Sequence, residues 1–238
     1  YFDEPDDWVG ISHVLEHMYF KGTPSRGPGV IAHATKAAGG YLNASTIYDH
    51  TSYYTVLPAS AFREGIEIQS DALINSLIDQ DELARELEVI IQEAKRKLDN
   101  PAAVARETLY ELMFDQHRMR RWRIGREAGL RQLTSRDVRG FFEGWYRGSA
   151  ITLVVVGAVD AADAFREVEQ HYGGLRNGVV ARNRGPAEPE RNAFRWRELS
   201  GDVKQTRLEI GWRTQPTLHS DTPALDLLAV ILGQGRAP

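Results

Sequence analysis

Apolar and polar positions along the chain switch between two periods, and the switches mark the elements. Over residues 8–20 the apolar set Ile11, Val14, Leu15, Met18 and Tyr19 falls on one side of a helix, while His13, Glu16 and His17 project together from the other. Gly22 ends that helix. A second helical run spans residues 29–38. Residues 41–48 and 51–57 then alternate with β-branched and aromatic side chains, the signature of a hairpin turning at Asp49 and His50. Pro58 opens a long helix expected over 59–78. Asp81 is the expected cap of the next, over 82–98, with Leu83, Leu87, Ile90, Ile91, Ala94 and Leu98 as its stripe. Glu86 and Glu93 border that stripe two turns apart, where pattern alone favours a solvated charged face.

Asn100-Pro101 breaks this helix and starts another towards Phe114. Thr134 or Ser135 caps a helix to about Tyr146, and Asp160 one to about Tyr172. Between them, Ala150 to Gly157 is a continuous β-branched run, which predicts a strand buried on both faces at the centre of a sheet. Residues 176–192 are rich in Gly, Pro and charge and predict a linker. Strands are expected near 194–199 and 205–212, followed by a helix from Thr222-Pro223 to Gly233. The expected fold is α+β, a mixed and largely antiparallel sheet packed with helices. The expected division is a first domain over 1–180, a linker over 176–192, and the beginning of a second, similar domain over 193–238. The apolar helix at 224–233 loosely parallels the opening helix but lacks His and Glu at the corresponding positions.

Composition narrows the function classes. A net charge of −4 argues against a dedicated nucleic-acid binder, and the Arg-rich run 118–126 reads as a solvated loop. No Cys is present, so any metal must be held by His and carboxylates. No apolar run approaches the roughly 20 residues of a membrane span. The chain begins with Tyr1-Phe2 and reads as starting inside a fold, which leaves the compartment open. His33 reads as an ordinary histidine, and the sequon at Asn43-Ala-Ser45 is a poor acceptor inside a strand.

The chemistry concentrates in His13-Val-Leu-Glu16-His17. Two neutral imidazoles one turn apart suit Zn2+, and the carboxylate between them suits a base that activates water: the reversed H-x-x-E-H order of a metallopeptidase.

Three stretches together resemble the pitrilysin-type inverzincin peptidases, a family that includes insulin-degrading enzyme and the mitochondrial processing peptidases. Residues 10–23 are similar to the family's zinc helix, 39–54 to its glycine and asparagine hairpin, and 86–93 to the helix bearing its third zinc ligand. The resemblance implies that Zn2+ is held by His13, His17 and Glu93, the last lying about 76 residues after the second His as in the family. It further implies that Glu16 is the base, that Glu86 is a second acid near the metal, and that Asn43 and Ala44 line the substrate. The implied activity is a zinc-dependent endopeptidase cleaving short or unfolded polypeptides. Its partners would be a peptide substrate and a second homologous half supplying an Arg and a Tyr. The alternative is a non-catalytic peptide-binding or scaffold subunit that needs a partner half. The chain departs from the family at His117-Arg-Met-Arg, where members often carry His-Pro-Tyr-Gly.

Overall fold

The computed structural model describes residues 1–183, 185–191 and 193–233. Its first helix, α1 (Ile11–Met18), starts at Gly10, whose φ of 98° favours glycine and whose absent side chain lets the backbone of Ile124 and Gly125 approach. A Cβ there would stand 2.8 Å from the Ile124 carbonyl oxygen. After α2 (Val30–Ala37), strands β1 (Tyr41–Thr46) and β2 (Thr51–Val56) form an antiparallel hairpin that pairs Tyr41 with Val56 and Thr46 with Thr51. Then come α3 (Phe62–Ile74), α4 (Gln80–Leu98), α5 (Pro101–Met113), the short α6 (Glu127–Leu130), α7 (Ser135–Trp145), α8 (Ala161–Tyr172) and α9 (Thr222–Gly233). The chain is thus α+β, with helices packed on a small antiparallel sheet.

Two apolar clusters position the site. The larger joins the buried face of α1 (Ile11, Val14, Leu15, Met18) to the stripe of α4 (Leu83, Leu87, Ile90, Ile91) and to Leu130, Val138, Phe141 and Phe142 from α6 and α7. The smaller joins Tyr19 and Ile31 to Ile66, Ile68, Ala72 and Leu73 of α3 and to Tyr172 of α8. Because α1 lies between α4 and the hairpin, its polar face looks into the gap between them.

Several expectations change. The helix α3 ends at Ile74, four residues early. Asn75 turns back onto Asp71 through both its backbone and its amide, and the Leu77 N–H leaves the helical ladder for the Gly22 carbonyl at 3.0 Å. Asp79, not Asp81, caps α4, its carboxylate accepting from the N–H groups of Asp81 and Glu82 at 2.9 and 3.0 Å. Residues 150–157 form no strand, and neither do 194–199 or 205–212. A strand persists through ladder hydrogen bonds, and among the described residues the only ladder is β1 with β2. Val156 is accordingly 91% exposed.

The Arg-rich run is not a solvated loop. Trp122 and Ile124 are buried, and the guanidinium groups tie the segment to its neighbours: Arg118 donates to the Phe2 carbonyl at 2.6 Å, Arg121 to the Glu4 carbonyl at 2.9 Å and Arg126 to Glu111 at 2.8 Å. Residues 176–191 carry no helix or strand where described, yet they are pinned. The Glu188 carboxylate accepts from three successive N–H groups, those of Asp115, Gln116 and His117, at 2.7 to 2.9 Å.

Candidate metal centre

The site is assembled from α1 outward. Gly10 has no side chain to cap the helix, so the first amides of α1 need an acceptor from elsewhere. Glu4 supplies it: fully buried, its two oxygens accept from the N–H groups of Gly10 and Ser12, both at 2.9 Å. Burial pushes the Glu4 carboxyl above its ordinary range, against the pull of those two amides. Its place at the positive end of the helix also suits a carboxylate. At the other end, Thr23 and Ser25 in the loop after α1 donate to Asp71 on α3 at 2.6 and 2.7 Å, joined by Arg26 at 2.6 Å. Both ends of the short helix are therefore fastened to other elements.

Its polar face meets α4. His13 Nε2 and His17 Nε2 each lie 3.8 Å from Glu93 Oε2, and one ligand atom from each of the three residues falls within 4.8 Å of the others. These separations are too long for hydrogen bonds and close to the edge of about 3.4 Å for ligands about 2.1 Å from a tetrahedrally held ion. The His13 ring is pushed down to about 4 by burial, with help from His17, Lys97 and Arg123, so it is neutral at neutral pH, the form a metal requires. Its buried Nδ1 has no hydrogen-bond partner among the described residues. His17 Nδ1 stands 3.0 Å from Glu86 Oε2, which fixes the tautomer with Nε2 free towards Glu93. Burial raises the Glu86 carboxyl, but hydrogen bonds from Lys21, 2.5 Å away, and from His17 outweigh it and hold the group below its usual range. The donor set and its spacing fit a Zn2+ ion.

Glu16 lies beside this group and points to the hairpin, where Thr46 Oγ1 donates to its Oε2 at 2.5 Å. Burial pushes the Glu16 carboxyl up; Thr46 and His17 pull the other way and Glu93 adds to the rise. Asn43 sits apart, on the exposed face of β1, its amide oxygen accepting from the Ala44 N–H at 2.9 Å. Ala44 is half-buried on the face that also carries Thr46. The fold thus gathers His13, Glu16, His17, Glu86 and Glu93 and leaves the Asn43 side chain outside the cluster. Three participants escaped the sequence reading. Glu4 lies outside every periodic stretch, although a glycine cap without a side chain is a usable sign that an acceptor must come from elsewhere. Lys21 and Thr46 carried no sign at all.

A helix that turns two imidazoles towards a carboxylate on a neighbouring helix, with no thiolate available, has the donor set of His/carboxylate metal centres. Residues 2–126 match the family model described as Insulinase (Peptidase family M16), and residues 132–237 the one described as Peptidase M16 inactive domain. The first match covers more than half of the chain, and the chain belongs to the insulinase family. It is 29% identical over 235 residues to an "Uncharacterized zinc protease" of Rickettsia felis, covering 98% of this chain and 56% of that protein. It is 26% identical over 232 residues to "Zinc protease PqqE" of Helicobacter pylori, covering 96% and 52%. The chain spans about half the length of the curated relatives it matches. In fold it resembles a protease from Helicobacter pylori (TM-score 0.75, 24% identity, 79% of this chain and 46% of that one) and pitrilysin (TM-score 0.67, 19% identity, 74% and 19%). Among the described residues no helix is long and apolar enough to cross a membrane.

Proposed function

We propose that this chain is the metal-bearing part of a zinc-dependent endopeptidase that hydrolyses short or unfolded polypeptides, working with a second homologous half. The observation that carries the reading is the convergence of His13 Nε2, His17 Nε2 and a Glu93 oxygen beside the Glu16 carboxylate. Its relatives' names, which call them zinc proteases, support it.

His13, His17 and Glu93 would hold the ion, and Glu86 would keep the His17 ring in register through Nδ1. Bound there, Zn2+ supplies Lewis acidity, polarising the scissile carbonyl and lowering the pKa of water. Glu16 accepts the proton of the attacking water and returns it to the leaving amine, a task helped by a carboxyl that burial has already raised. The edge of β1 away from β2 has no ladder partner among the described residues. An extended peptide can pair along it, with Asn43 and Ala44 lining the path, so main-chain bonds give affinity with little sequence discrimination.

A scaffold role is the second reading. It draws on the match of residues 132–237 to an inactive domain, a stretch outside the candidate metal centre. The two readings separate on cleavage of an internally quenched peptide by the full-length protein, with and without a chelator. The peptidase reading expects cleavage that the chelator abolishes and Zn2+ restores, and none from Glu16→Gln despite unchanged zinc content. Equal cleavage by Glu16→Gln would remove Glu16 as the base, and a zinc-loaded protein inert towards every peptide would favour the scaffold.

A further inference from the structure

The oxygen of Glu16 that faces the hairpin is held by one hydroxyl, which is itself held by a second. Thr46 Oγ1 donates to Glu16 Oε2 at 2.5 Å and lies 3.1 Å from Thr51 Oγ1, its partner across the β1–β2 ladder. Each hydroxyl has a single proton, which orders the pair. A carboxylate only accepts, so Thr46 donates to Glu16. With its proton committed, the Thr46 oxygen accepts from Thr51. Both hydroxyls point one way and end on Glu16 Oε2, and bonds aligned head to tail in a partly buried setting strengthen one another.

We infer that Thr46, backed by Thr51, is a positioning residue that locks the Glu16 carboxylate with Oε2 turned to the hairpin. This rests on the peptidase reading for its consequence, while the geometry it asserts is independent of turnover. A base held in one orientation spends no time in unproductive rotamers.

The test uses the full-length, zinc-loaded protein and the near-isosteric Thr46→Val. Crystal structures of parent and variant are expected to differ in the Glu16 side chain, which leaves its position when the donor is removed. Peptide hydrolysis is expected to fall about ten- to a hundred-fold in kcat, the range for losing a hydrogen bond to a charged group, with KM and zinc content unchanged. Thr46→Ser, which keeps the hydroxyl, is expected to restore most of the rate. Thr51→Val is expected to cost less than Thr46→Val and to add nothing to it in the double variant, because it acts only through Thr46. An unmoved Glu16 carboxylate in Thr46→Val overturns the inference, as does loss of zinc in proportion to rate or full additivity with Thr51→Val. A parent protein that binds zinc but cleaves nothing defeats the peptidase reading instead, and the Glu16 position in the two crystal structures then decides the inference alone.

Discussion

The first and last helices make an instructive pair. The twelve residues of α9 are apolar nearly all the way round, yet among the described residues none of them is buried. The eight residues of α1 carry three ionisable side chains, and five of them are buried: Ile11, Ser12, Val14, Leu15 and Met18. Hydrophobicity alone does not place a helix. A two-sided pattern does, because the apolar side of α1 has α4 and α7 to pack on, and the fixed backbone then holds the polar side still. A helix that is apolar on every side gains burial only when it is covered on every side. The precision of the His13, Glu16 and His17 arrangement is therefore owed to Ile11, Val14, Leu15 and Met18 beneath it.

That contrast can be broken most forcefully from the apolar side. In this chain, Leu15→Ala is expected to lower unfolding stability by about 2–5 kcal/mol, as buried leucine truncations do, whereas Leu228→Ala in α9, at 48% exposure, should change it by less than about 0.5 kcal/mol. Urea denaturation followed by circular dichroism compares them directly. Similar losses for both would mean that α9 is packed after all.

A smaller effect is expected at the end of α1. Glu4→Gln keeps the volume but replaces one acceptor with a donor facing a backbone N–H, so it should cost about 1–3 kcal/mol, the range for a buried group left unsatisfied. Amide exchange at Gly10 and Ser12 should accelerate in that variant, and unchanged exchange would show that the carboxylate does not anchor the helix.

The smallest effect concerns Asp71, which fastens the loop after α1. Its carboxyl is held down at about 2: burial works against ionisation, and hydrogen bonds from Thr23, Asn75, Ser25 and Arg26 more than offset it. A depressed acid stabilises the fold fully above its unfolded value near 4 and loses that contribution as pH falls towards 2. The stability gap between the parent and Asp71→Asn should therefore be widest at pH 5 and above and narrow between pH 4 and 2. A gap that is constant over that range would remove Asp71 ionisation from the account.

What was legible in the sequence follows the same divide between local and long-range determinants. The capping side chains of Asn100, Thr134 and Asp160 act within a few residues of themselves: Asp160 caps the helix expected of it, Thr134 is the one of the two expected candidates that caps α7, and Asn100, read only as part of a break, caps α5. Asp79 was passed over for Asp81 because both precede the same apolar stripe and only backbone geometry separates them. The run at 150–157 has strand chemistry, but a strand also needs a neighbour, and the β-branched pattern does not say where one is. Within the site, His13, Glu16 and His17 were readable because one helical turn relates them. Glu93 was not: by pattern it was a surface carboxylate, and only the family resemblance pointed to a ligand role. Glu4, Lys21 and Thr46 meet their partners through the packing of separate elements, which no periodicity reports.

The central claim is that α1 and α4 together hold one metal ion. Anomalous diffraction from crystals of the full-length protein, recorded on both sides of the zinc absorption edge, tests it without reference to any substrate. The account predicts a single strong peak about 2.0–2.2 Å from His13 Nε2, His17 Nε2 and a Glu93 carboxylate oxygen, lost on soaking with a chelator. A zinc-replete crystal with no peak between these three residues, or with its zinc bound elsewhere, would contradict it.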